Sequence, residues 1–380
     1  MSTLIYYNSL TALFIATSIF GLLFLTQFNE NKATLRNYRI VKRILTVAYL
    51  AVAVGSLPEL LVQLSGTTIV GSRDILFSQV INLTVAITQA FIFTHSTMLL
   101  LDTKKINSKI VKYQVVALVI YITVAILSYL LLPKKATEAV VFVLTVIYFI
   151  ALGYFTVRFL RHFRQFRIIM DNFYSDDVTA RMHWIKVAFF AALFIGTFAL
   201  FVTYYCSVVN ETIFNLTSLC FYTFFGIRLL NYPWQFEIIE MPMTEKTKYE
   251  QSFSAPNTVT GLTSYQDMLH TNSDTSIEQW IAEKHFLKSG ITMDDLAKFL
   301  GTNRTYISSY FNTEKGITFR QWINILRIEE AKLIITDDSK ITMTELASRL
   351  GYADTSTFFR QFKAKEGVQP SVWKQKNLSN

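Results

Sequence analysis

Cysteine is nearly absent from this chain: Cys206 and Cys220 are the only two in 380 residues, and both sit in apolar stretches. Two such residues make no disulfide framework, and no Cys/His spacing offers a zinc site. No metal and no cofactor are therefore expected. A Gly-x-Gly phosphate loop, a nucleophile elbow, a His-Glu-x-x-His pair and a kinase signature are also missing, so the chain is not expected to be an enzyme. No Lys or Arg precedes the first apolar run, which is too long for a cleavable signal peptide.

What the chain does have is apolar length. Hydrophobic residues make up 52% and Phe alone numbers 32, with a mean hydropathy of +0.33. The excess is uneven. Residues 4–230 hold nearly all the long apolar runs, while 244–380 have the composition of a soluble domain. About 20 mostly apolar residues cross a bilayer as a helix. Seven stretches meet that length, at 5–28, 44–64, 75–101, 113–132, 138–157, 186–208 and 212–230, the last diluted by Asn215, Thr217 and Arg228.

Loop charges orient these spans. The first, third and fifth loops carry Lys32, Arg36, Arg39, Lys42 and Arg43, then Lys104, Lys105, Lys109 and Lys112, then Arg158, Arg161, Arg164, Arg167 and Arg181. The alternate loops hold Arg73, then Lys134 and Lys135, then no basic residue in 209–215. The positive-inside bias places the N-terminus outside and the C-terminus in the cytoplasm, in the cell (inner) membrane. The outer loops are too short for a folded external sensor. Within the spans Glu59 and His95 are the ionisable residues that stand out, and Arg73 is placed to pair with Glu59. Such groups either hydrogen-bond helices together or form a ligand or proton site, so these three are the candidates for intramembrane sensing. Residues 155–169 read as an amphipathic extension of the fifth span. Phe155, Phe159, Phe163 and Phe166 fall on one side, with arginines on the other, either snorkelling or meeting anionic headgroups.

Residues 231–276 read as a flexible linker, rich in Ser, Thr and Asn from 244 to 275, with an interfacial anchor at Tyr232, Trp234 and Phe236. Beyond it lies an internal repeat. Residues 291–301 read Ile-Thr-Met-Asp-Asp-Leu-Ala-Lys-Phe-Leu-Gly and 341–351 read Ile-Thr-Met-Thr-Glu-Leu-Ala-Ser-Arg-Leu-Gly, identical at seven of eleven positions. Thr292…Asp295 and Thr342…Glu345 are capping-box patterns that start helices. Gly301 and Gly351 end them and permit a sharp turn. Further helices are expected at 303–313 and 354–364, joined by an amphipathic connecting helix at 318–335 that holds two reading helices at fixed separation. Phe358, Phe359 and Phe362 read as core.

The order of these elements, with Arg327-Ile-Glu-Glu-Ala-Lys-Leu-Ile334, Gly351-Tyr-Ala-Asp-Thr-Ser-Thr-Phe-Phe-Arg-Gln-Phe-Lys363, Gly367-Val-Gln-Pro370 and Trp373, resembles the AraC/XylS family DNA-binding domain over about 277–377. Tyr352 and Trp373 stand where that family often has Phe and Tyr. The resemblance does not reach residues 1–240. With the seven-helix transmembrane bundle read from the apolar runs (1–230), the fold expected is all-α; the resemblance implies an all-helical domain (277–380) with two helix-turn-helix units. It also implies major-groove reading by two helices. Contact candidates are Asn303, Arg304, Thr305, Ser308 and Ser309 in the first unit. In the second they are Asp354, Thr355, Thr357, Arg360 and Gln361, with Lys363 near phosphate. Arg360 has a second reading, as half of an internal ion pair. The implied function is a membrane-embedded transcriptional regulator. Its alternative is a seven-span receptor or transporter-like protein whose helix-turn-helix pair docks a protein. Partners under these readings are double-stranded DNA, membrane lipid, RNA polymerase, an unidentified ligand or membrane partner, and a second copy of the chain.

Overall fold

The computed structural model describes residues 2–26, 35–65, 75–101, 108–205, 207–233 and 276–378. Arg73, Lys32, Lys104, Lys105, Cys206, Trp234, Phe236, the 244–275 tether and the side chains of Glu59 and Thr305 lie outside the described residues. The chain divides into two compact units, residues 1–166 with 182–240, and residues 167–181 with 241–380. Among the described residues there is no β-strand, only one isolated bridge between Tyr174 and Thr292.

Among the described residues seven helices are long and apolar enough to cross a membrane, and all lie in the first unit except the end of the fifth, from Arg167, which belongs to the second. They are α1 (Ser2–Leu23), α2 (Arg36–Ser65), α3 (Ile75–Leu100), α4 (Ser108–Leu131), α5 (Lys134–Phe173), α6 (His183–Tyr204) and α7 (Val208–Leu230). α1 packs on α2 and α7, and α3 on α2, α4 and α6. Tyrosine hydroxyls tie the helices where their apolar bodies pack, because a buried hydroxyl needs a partner. Tyr49 donates to the Tyr222 carbonyl (2.8 Å), Tyr121 to the Leu144 carbonyl (2.9 Å), and Gln89 Nε2 to the Tyr222 hydroxyl (2.8 Å). The polar residues diluting α7 are accommodated in the same way. Asn215 is buried with its amide 3.5 Å from Ser9 Oγ, Thr217 bonds back to the Ile213 carbonyl, and exposed Arg228 lies over the Phe224 ring.

Helix bounds correct several expectations. α2 begins at Arg36, so Lys42 is not a loop cation. It is 3% exposed and donates to the Thr26 carbonyl at 2.7 Å. The fifth helix runs unbroken from Lys134 to Phe173 and takes in the amphipathic extension read at 155–169, whose apolar spacing keeps the helical period. Phe155, Phe159 and Phe166 are buried, Phe159 stacks on Phe189 with centroids 3.9 Å apart, and Arg161 and Arg164 point outward.

In the second unit a helical segment at 276–282, α8, leads into α9 (Met293–Phe299) and α10 (Arg304–Ser309), the latter continued by a π-turn over Tyr310–Lys315. Then come α11 (Phe319–Asp337), α12 (Met343–Arg349), α13 (Thr355–Glu366) and α14 (Pro370–Leu378). α11 is shared. Phe319 and Ile323 belong to a core with Trp280, Leu296 and Phe311, and Ile328, Ala331 and Ile335 to one with Leu346, Phe358 and Phe362. Ile325 and Leu333 lie on the exposed side of α11.

Candidate nucleic-acid interface

Each repeat builds a short helix, a left-handed glycine turn and a second helix. Thr292 and Asp295 form the full capping box: the Asp295 amide donates to Thr292 Oγ1 and the Thr292 amide to Asp295 Oδ2 at 2.8 Å. Only half of the box forms in the second repeat. Thr342 Oγ1 accepts from the Glu345 amide, but the Glu345 carboxylate turns to Arg349, 2.7 Å away on the next turn. Gly301 and Gly351 hold φ of +61° and +77°. After each, the same pair of terminal bonds closes the helix: Thr302 N–H to Ala297 O and Tyr352 N–H to Ala347 O, both 3.0 Å.

The reading helices start from side-chain caps. Asn303 Oδ1 accepts from the Tyr306 amide (2.8 Å) and Asp354 Oδ1 from the Thr357 amide (2.7 Å), while Thr357 Oγ1 donates to Asp354 Oδ2 (2.8 Å). Asn303, Asp354 and Thr357 therefore hold the helix ends in place. These bonds from Thr357 hold the Asp354 carboxyl below the usual carboxylate range, against the opposing effect of desolvation. Ser309, Arg360 and Lys363 are exposed, and Ser308, Thr355 and Gln361 are half-buried. Phe358 and Phe362 are buried and Phe359 partly so, against the second core.

The two candidate arginines stand differently. Arg304 grips Asp294 with two nitrogens, Nε–Oδ1 at 2.6 Å and Nη2–Oδ2 at 2.8 Å, and lies 4.3 Å from the centroid of the Phe173 ring. Its side chain is 18% exposed. Arg360 is 60% exposed, with Nη2 3.2 Å from Asp177 Oδ2.

Sequence reasoning missed the segment that makes these contacts. Residues 167–181 pack with the helix-turn-helix pair in one unit. Ser175 N–H donates to the Ile291 carbonyl (3.1 Å). Asp171 and Asp177 both reach Arg320, at 3.0 and 3.2 Å, and Asp176 lies 3.7 Å from Arg327. Burial raises the pKa of Asp177, but Arg320, Thr179 and Arg360 together outweigh it and hold the carboxyl low. Arg327 is fully buried, donating to the carbonyls of Phe286 (2.9 Å) and Lys288 (2.8 Å) and lying over the Tyr352 ring. The available signal was a group of aspartates in an arginine-rich loop.

In the first unit His95 is also buried. Its Nδ1 is 2.9 Å from the Phe91 carbonyl oxygen and its Nε2 2.9 Å from Gln114 Oε1, which accepts from Arg158 Nη1 at the same distance. Among the described residues no group of three or more His, Cys, Asp or Glu is placed to hold a metal.

Comparison with known proteins agrees with this geometry over the C-terminal segment. Residues 296–376 match the model of a helix-turn-helix domain family. An uncharacterized helix-turn-helix-type transcriptional regulator of Bacillus subtilis is 32% identical over 95 residues, 25% of this chain and 12% of that protein. The transcriptional activator NphR of Rhodococcus is 31% identical over 111 residues, 29% of this chain and 32% of its own length. The raffinose operon transcriptional regulatory protein of Pediococcus pentosaceus is 29% identical over 86 residues, 23% of this chain and 31% of that protein. The chain thus spans a third or less of the length of these relatives. No solved structure matches. Residues 296–376 thus form a helix-turn-helix domain of AraC type, similar in sequence to segments of these transcriptional regulators.

Proposed function

We propose that this chain is a membrane-embedded, sequence-specific DNA-binding regulator of transcription that couples a membrane or envelope signal to DNA. The observation that carries the reading is the union, in one chain, of seven long apolar helices and a double helix-turn-helix domain. The outward faces of the long helices support the membrane half. Val116, Ile120, Leu130, Phe142 and Ile150 are all more than half exposed, an apolar coat that water would disfavour and lipid would solvate. The basic odd-numbered loops support a cytoplasmic C-terminus, with 1–230 as the bundle, 231–276 as tether and 277–380 as reader.

In this reading Arg360, Gln361 and Lys363 on α13, with Ser308 and Ser309 on α10, meet the duplex, and Arg304 joins them through the same helix face. Thr305 is retained as a candidate, and Asn303, Asp354, Thr355 and Thr357 set the helix starts beside the phosphates. His95, Glu59 and Arg73 are the intramembrane candidates for sensing, the first through its bonds to Gln114 on α4. RNA polymerase, a membrane partner and a second copy of the chain are partners the reading admits.

The test uses the full chain in lipid nanodiscs. It should enrich particular duplexes from a random pool, with affinity falling steeply as salt rises. A cytoplasm-only reporter should be active after residue 245 and silent after 70 or 136. Activity after 136 with silence after 245 overturns both the orientation and the DNA assignment.

A further inference from the structure

The segment 171–177 places three carboxylates and an aromatic ring on four arginines of the helix-turn-helix domain. Asp171 and Asp177 bracket Arg320; Asp177 also takes Arg360, on the second reading helix; Asp176 faces Arg327; and Phe173 covers Arg304, the first residue of the first reading helix. The backbone is fixed too, through the Tyr174–Thr292 bridge and the Ser175 amide on Ile291. Both repeats are therefore touched by one strap.

A carboxylate, a phosphate and the acceptor edge of guanine use the same guanidinium donors. They exclude one another at Arg360, and three aspartates beside a reading face repel the charge of DNA. We propose, resting on the DNA-binding reading above, that residues 171–177 are an intramolecular competitor of DNA. With the strap docked, Arg360 is held by Asp177; with the strap released, it is open to the duplex, and Arg304, still paired with Asp294, loses its Phe173 cover. The strap is continuous in sequence with α5, which ends at Phe173, and leads through Val178–Met182 into α6. A rearrangement of those helices therefore acts directly on it. A ligand that favours a released state shifts the balance only by its preference for that state. Apparent affinity for DNA is the intrinsic affinity multiplied by the fraction of chains in which the strap is released.

The experiment compares wild type with D171N/D177N, both full length in nanodiscs. Each selects duplexes from a random pool, and affinity is then measured on the best-enriched duplex. Asparagine keeps the side-chain shape and removes the charge. The variant is expected to bind about tenfold tighter, the size of a modest two-state bias. Equal or weaker binding by a variant that melts like wild type overturns the strap. Amide exchange on the wild type decides independently of any mutation. Ser175 N–H should lose protection when DNA binds, and retained protection in the bound state overturns the proposal. If neither chain enriches any duplex, the DNA-binding reading itself fails and the strap falls with it.

Discussion

The two helix-turn-helix units share seven of eleven residues through their first helix and turn, yet the chain supports them by different means. The first has the complete capping box, a glycine in open space, and a reading helix of six residues that widens into a π-turn. The second has half a box, a glycine pressed against backbone, and a regular reading helix of twelve residues. A threonine cap starts the first helix and a left-handed glycine stops it in both copies. What differs is how each is anchored to the rest of the domain.

The residue that joins the two cores is Arg327. Its guanidinium satisfies carbonyls preceding the first unit and covers Tyr352 of the second. Truncating it leaves those buried carbonyls unpaired and a cavity between the cores. Arg327→Ala should lower stability by about 3–5 kcal/mol. Amide exchange should rise in both α9 and α12 together; a rise confined to one of them would mean that the arginine serves a single unit.

The glycines sharpen the contrast. A Cβ at Gly351 would collide with the Leu287 carbonyl oxygen, whereas nothing stands within 4 Å of one at Gly301. Both positions have positive φ, so alanine at either is strained by about 1–2 kcal/mol. Gly301→Ala should cost no more than that, and Gly351→Ala about 3 kcal/mol because the backbone must also move. Equal losses in chemical denaturation would show that the Leu287 contact yields freely.

These differences bear on what could be read without coordinates. Caps, glycine stops and the apolar faces of α9, α12 and α13 are set by residues within a few positions of one another, so helix identity and the core role of Phe358 and Phe362 were legible. The all-α class and the seven apolar helices were legible from run length for the same reason. Lys42 was misplaced because its acceptor, the Thr26 carbonyl, lies 16 residues back in the sequence. The strap was illegible because Asp177 meets Arg360 across 183 residues and Asp171 meets Arg320 across 149, separations for which no periodicity exists. Arg304 read as a free base contact, since nothing in its spacing marks Asp294 as its partner.

That asymmetry between the arginines gives a milder prediction. Arg360 is mostly exposed and its removal uncovers nothing, so Arg360→Ala should weaken binding to a selected duplex by about 1–3 kcal/mol and leave melting unchanged. Arg304→Ala strands Asp294 and unstacks Phe173, so it should lower stability as well as affinity. Matching behaviour in both assays would make the two positions equivalent in the fold.

The smallest effect separates the two caps. Asp295 accepts from the Thr292 amide and hydroxyl, so Asp295→Ala removes one arm of a capping box and should cost about 1 kcal/mol. Glu345 instead makes an exposed pair with Arg349 one turn on, and Glu345→Ala should cost about 0.3–0.5 kcal/mol. Acid distinguishes the first from a simple loss of packing. Burial pushes the Asp295 carboxyl up, but the Thr292 bonds and the charges of Lys288 and Lys298 outweigh it, so its pKa lies below the ordinary value. A lowered folded-state pKa means the ionised group stabilises the fold above the unfolded pKa of about 3.9 and that this contribution fades as pH falls through the lowered value. The stability gap between wild type and Asp295→Ala should therefore be flat from pH 8 to 5 and shrink below about pH 4. A gap that persists undiminished at the lowest pH at which the domain stays folded would assign the loss to packing of the side chain and not to its charge.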